Sequence, residues 1–231
     1  MKTLSNPIDL IKESLKIFFE KKNMMYFFKI YSVAFALSLC SFVFSSIVSN
    51  AGYTTDQYVQ EFLSGNPLII SLVFIWSIAA FLIGIWAQVS GYEAIRRVVK
   101  GGALEFKDTF RGSWKYLGSF FLVNFLVGLI VVLGLVLLVV PGIIFSVWYA
   151  FSVWMVVDKN YGVKEALRQS KSLAKDRFWK ILGRFLVFIL FGILGQIVFS
   201  LMPQGYGTVV ASLFGALFII PNFLLYQELS K

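Results

Sequence analysis

Long apolar runs alternate along this chain with short segments in which lysine and arginine recur every three or four positions. The runs fall at about 27–48, 67–88, 116–139, 143–157, 181–202 and 208–226. Most approach or exceed the roughly 20 residues that take a helix across a hydrocarbon core of about 30 Å. Six transmembrane helices are therefore predicted. The polar segment with the sharpest pattern is Val163–Lys175, read at a period of 3.6 residues. Val163, Ala166, Leu167, Ser170, Leu173 and Ala174 share one face, and Lys164, Arg168, Lys171 and Lys175 form a stripe beside it. Gly162 suits the N-cap, and Glu165 at the third position favours the positive end of the helix dipole. The lysine and arginine stems lie next to the apolar face, so their heads can reach water or phosphate.

Weaker copies of this segment precede other spans. Asn6, Pro7 and Asp9 open the first, with Ile8, Ile11, Leu15 and Phe18 or Phe19 set against Lys12, Glu13 and Lys16. The second begins at Glu105 and runs to Ser113. Aligned on Ser14, Ser113 and Ser170, the three carry Asp9, Asp108 and Glu165 five residues earlier, and Lys12, Arg111 and Arg168 two residues earlier. The predicted fold class is thus all-α and integral to the membrane, with three repeats of an amphipathic interfacial helix plus a transmembrane hairpin. The units are about 6–93, 105–157 and 162–228, within a single polytopic domain over 1–231. A shared physical solution without shared ancestry gives the same pattern. Each serine is expected to be small on its apolar face and to bond the carbonyl one turn back.

Two crossings are fitted into residues 119–157, so the chain must reverse tightly, and Pro141-Gly142 is the predicted hairpin turn. A single long, kinked helix is the alternative reading. A second turn is expected at 203–205 and a kink at Pro221. Trp86, Trp114, Trp154 and Trp179 fall near the inner ends of spans, as an interfacial belt of anchors requires.

Composition agrees with a membrane chain: 58% of 231 residues are hydrophobic, 14% are charged, and 25 are Phe. The formal charge of +9 reports orientation here, because the cations flank spans instead of lining a soluble face. Nucleic acid is accordingly excluded as a partner. In the six-span reading all 21 lysines and arginines lie on one side, while the loop at 50–66 carries Asp56 and Glu61 and no cation. Both termini are expected to be cytoplasmic, in the plasma membrane. The first span follows about 26 residues that include five lysines, and it reads as retained instead of cleaved.

Candidate chemistry is sparse. There is no histidine, so the usual general base near neutral pH and the commonest neutral metal ligand are missing. The single Cys40 allows no intramolecular disulfide and no cysteine cluster, and the acids are scattered. No catalytic residue, metal ligand or cofactor is assigned. The span interiors hold Asn124, Gln196 and Asn222 beyond hydroxyl residues, for interhelical hydrogen bonding or for lining a polar path.

Residues 141–183, through Pro141-Gly142-Ile143, the G-x-x-E-A-L-x-x-S helix of Gly162 to Ser170, and the W-x-x-L-G of Trp179 to Gly183, resemble the membrane domain of bacterial glycerophosphodiester phosphodiesterases and its uncharacterised stand-alone relatives. The usual lysine-glycine after that helix is replaced by Lys175-Asp176. In those phosphodiesterases the chemistry belongs to a separate soluble barrel that uses histidines and metal-binding carboxylates, so the resemblance implies a membrane role with a lipid association and carries over no catalytic residue. Two function classes follow. One is a non-enzymatic multi-pass protein that engages anionic lipid or a partner at the cytoplasmic surface through Lys164, Arg168, Lys171 and Lys175. The other is a transporter or lipid-translocating protein with Asn124, Gln196 and Asn222 facing a path. Oligomeric state is left open.

Overall fold

The computed structural model describes residues 4–50, 57, 60, 64–65, 67–202 and 206–231. Lys2, the loop acids Asp56 and Glu61 and the turn expected at 203–205 lie outside them. Among the described residues every regular element is helical. Helix α1 (Pro7–Phe19) starts where expected, since Asn6 Oδ1 accepts from the Ile8 N–H at 3.1 Å and Pro7 fills a first-turn position whose N–H needs no partner. Extended Glu20 separates it from α2 (Lys21–Asn50).

Helix α3 (Pro67–Lys100) runs well past the predicted end of the second span. It stops at Gly101, whose φ of 71° is open to glycine at little cost. There the Gly102 N–H bonds the Arg97 carbonyl and the Gly101 N–H bonds that of Val98, which closes the helix in a Schellman motif. Helix α4 (Phe106–Ser113) passes through one 3₁₀ turn, Trp114–Tyr116, into α5 (Leu117–Leu137).

The chain reverses at Leu138, which is extended at φ −163° and ψ 144°, and α6 (Val139–Tyr149) follows directly. The turn predicted at Pro141-Gly142 is therefore displaced. Both residues stand in the first turn of the return helix, where proline costs no hydrogen bond. Gly142 is small for a different reason: a Cβ on Gly134 of α5 would lie 3.0 Å from its Cα, so the two helices meet backbone to backbone. The fourth span is itself interrupted at Ala150-Phe151 and resumes as α7 (Ser152–Lys159), which ends at left-handed Asn160. Then come α8 (Val163–Lys175), α9 (Phe178–Ser200), the short α10 (Tyr206–Ala211) and α11 (Gly215–Ser230). Helix α11 continues through Pro221, and the change of geometry falls upstream in the 3₁₀ turn Ser212–Phe214.

Six stretches of these helices are long and apolar enough to cross a membrane, which makes this a multi-pass membrane protein by architecture. Their packing is uneven. Phe151, Trp154, Phe223 and Tyr226 are fully buried at the end of the bundle where α7, α8 and the second half of α11 meet, while α1 runs along α11 and brings buried Phe18, stacked on Phe27 of α2, against Phe214 just before α11 begins. At the opposite end Val136, Leu137 and Leu201 are 76–80% exposed, a surface that lipid tails cover as well as leucine does. The two described chain ends lie together at the packed end: the Ser5 N–H donates to Glu228 at 3.2 Å, and Arg184 Nη2 donates to the Ser5 carbonyl at 2.7 Å and to that of Leu4 at 2.9 Å. The termini therefore share one side of the bundle.

Candidate functional site

Polar atoms concentrate where the fourth span is broken. Ser170 of α8 is fully buried, and its hydroxyl donates to the Trp148 carbonyl at 2.8 Å while accepting from the Phe151 N–H at 3.2 Å. It thus bridges the interruption from a neighbouring helix, and the bond expected one turn back in its own helix is not the one it makes. Ser14 and Ser113, equally buried, do bond their own helices, to the Ile11 carbonyl at 2.7 Å and the Phe110 carbonyl at 2.8 Å. Ser113 also lies 2.8 Å from the Ser90 hydroxyl of α3. The Ser152 hydroxyl, buried at the same interruption as Ser170, has no partner.

Beside the break lies a cavity of about 260 Å³ lined by Tyr92, Asn124, Tyr149, Ala150, Trp154 and Asn222, among others. Asn222 Oδ1 accepts from Trp154 Nε1 at 2.7 Å, and Asn124 Nδ2 donates to the Phe120 carbonyl at 2.9 Å. Gln196 is exposed on α9 and lines no part of this cavity, so two of the three span amides converge and the third does not. Trp154, expected as an interfacial anchor, is instead 1% exposed and packs on Phe223. Trp114 and Trp179 are exposed as anchors should be.

Helix α8 buries Ala166, Ser170 and Ala174 and leaves Lys164, Arg168 and Lys175 exposed. Lys171 is half-buried with Nζ 4.4 Å from the centre of the Trp148 ring, a cation–π contact beside the break. Arg168 pairs with Glu165 at 2.9 Å. Hydrogen bonds from Gln169 and then from Arg168 hold the Glu165 carboxyl below its ordinary range.

A network that sequence reasoning missed ties the packed end together. Glu93 is 2% exposed and accepts from Arg96 at 2.6 and 2.8 Å and from Arg97 at 2.9 Å. Arg97 goes on to the Ala103 and Asp108 carbonyls and so holds the start of α4. Asp158 pairs with Lys100 and accepts from the Tyr226 hydroxyl at 3.1 Å, joining α3, α7 and α11. The glutamate spaced three and four residues before two arginines was the local signal for the first group. The second, between residues 58 and 68 positions apart, had none.

The family model described as Uncharacterised protein family (UPF0259) matches residues 36–226, from within the first span to near the end of the sixth. No curated protein and no solved structure matches. The family match gives no link to the phosphodiesterase membrane domain.

Proposed function

From the premise that the chain belongs to the uncharacterised protein family UPF0259, we propose that it is a non-enzymatic protein of the plasma membrane. It works at the cytoplasmic surface, where it engages anionic lipid or a protein partner. One observation carries this reading: α8 is docked by its small-residue face, with Lys164, Arg168 and Lys175 turned outward. Cations held in that way meet phosphate at the cost of few side-chain rotations, and anionic headgroups are the phosphates at hand. The segregation of lysine and arginine in sequence supports cytoplasmic termini. Three repeats of amphipathic helix plus hairpin, and descent shared with the phosphodiesterase membrane domain, belong to the same proposal. No catalytic residue, cofactor or metal enters it, and no nucleic acid.

The test changes Lys164, Arg168, Lys171 and Lys175 together to Gln and measures anionic lipid retained on purification. Four cations at a surface are worth at most about 4 kcal/mol, reduced by salt and by Arg168's pairing with Glu165. A clear loss is expected, larger than in a control with Lys12, Lys16, Lys21 and Lys22 changed. Equal losses, or none, would reject a specific role for α8.

The second reading, transport or lipid translocation, draws on the cavity where Asn124 and Asn222 meet beside the interrupted span. Discontinuous helices at a polar cavity are a recurrent transporter device. Gln196, on the outer surface of α9, leaves that path incomplete.

A further inference from the structure

A second concavity lies between α3 and the stretch from Trp114 to Phe121, and its character is the opposite of the first. It measures about 640 Å³ and is lined by apolar side chains, including Leu82, Trp86, Leu117 and Phe121, with Gly118 in its wall. The one polar group of Trp86 is turned away, its Nε1 donating to the Phe110 carbonyl at 3.1 Å. On α3 the lining runs from Ala79 to Trp86, about 10 Å along the axis, entirely within the span. Trp86 and Trp114 meet edge to face at 5.6 Å and mark the end of the groove nearest the basic surface.

That end carries unneutralised charge. Lys107, Arg111 and Lys115 follow one another at four-residue intervals through α4 and the 3₁₀ turn, all exposed, and none makes an ion pair among the described residues. Lys115 Nζ rests 4.7 Å from the ring of Tyr116. Asp108 lies in α4 and Glu105 is the residue before it, both exposed, and buried Glu93 is occupied by Arg96 and Arg97. Arg111 stands one turn before Trp114 and Gly118 one turn after it, so the row of cations leads into the groove.

We infer that this groove is a binding site for an anionic phospholipid, with one acyl chain seated along Ala79–Trp86 and Gly118–Phe121 and the headgroup phosphate held by Lys107, Arg111 and Lys115. The inference rests on the lipid-associated reading above but assigns it a different address from α8. An apolar slot of this depth inside a span is complementary to a hydrocarbon chain, and three free cations at its mouth select phosphate with net negative charge over a zwitterion.

The test uses the full chain in nanodiscs containing phosphatidylcholine and phosphatidylglycerol, either one carrying a photoreactive group in its acyl chain, with labelled peptides mapped by mass spectrometry. Labelling at 114–121 is expected, stronger for phosphatidylglycerol. A side chain at Gly118 meets nothing within 4 Å, so Gly118→Leu should fold normally while filling the groove and should remove the labelling by either lipid. Ala79→Phe, at the far end, gives an independent block. Changing Lys107, Arg111 and Lys115 to Gln should lower the headgroup preference by roughly fivefold per cation and leave the phosphatidylcholine signal unchanged. The α8 variant should keep groove labelling at its original strength, so lipid lost there and lipid lost here are read separately. Equal labelling by the two lipids, or labelling that survives both Gly118→Leu and Ala79→Phe, overturns the site.

Discussion

The buried serines Ser170, Ser14 and Ser152 differ in what their hydroxyls do, and that difference sets what each is worth. Ser170 serves a carbonyl and an N–H of another helix, at Trp148 and at fully buried Phe151. Replacing it with Ala strips an acceptor from a buried donor, at a cost of about 1–3 kcal/mol. Ser14 serves only its own turn, three residues back, so Ser14→Ala should cost about 1 kcal/mol or less. Ser152 serves nothing, and Ser152→Ala should be neutral or slightly stabilising. Thermal midpoints of the three variants in one detergent give the order, and Ser14→Ala proving as damaging as Ser170→Ala would show that burial, not the bridge, is what matters. The serine pattern could be seen in the sequence because it lies on one helical face. The bridge could not, since it depends on a break in a different helix 22 positions away.

Elements were legible where local chemistry decides them and illegible where a neighbour does. Asn6, Pro7 and Asp9 announced α1, and run length announced the six spans. Leu138, where α5 turns back, carries no turn signature, because extended backbone is open to any residue and the tightness comes from Gly134 against Gly142. Trp154 was misread for a similar reason: its partner Asn222 is 68 residues distant. The joint of α3 with its neighbours offers a measurable case. Glu93, with a side chain 2% exposed, faces Arg96 and Arg97 at 27% and 20%. Glu93→Gln leaves two guanidinium groups without their anion, which for a sealed site costs about 3–5 kcal/mol; partial exposure of both arginines reduces this to about 1–3 kcal/mol. Denaturant titration in detergent should register that loss together with freer exchange of the α4 amides, since Arg97 also grips that helix's start through the Asp108 carbonyl. Loss of stability with α4 unaffected would break the proposed coupling.

Taken whole, the molecule is a bundle closed at one end and open to lipid at the other, with its two described chain ends joined at the closed side. Six crossings imply that reporters fused at Ser64 and at Lys231 fall on opposite sides of the membrane. Finding both on one side would remove a span from the count. The contact of Ser5 with Glu228 also has a consequence for biosynthesis. At about 5–20 residues per second, the 223 residues between them take roughly 11–45 s to emerge from the ribosome. For that interval α1, whose Leu10, Ser14 and Phe18 are buried in the finished fold, has no α11 to pack against. It must wait on the bilayer or on a chaperone. Nascent chains halted before Gly215 should therefore leave the 7–19 segment open to protease, and addition of the last helix should close it, so that the final turn of synthesis acts as the latch on the first.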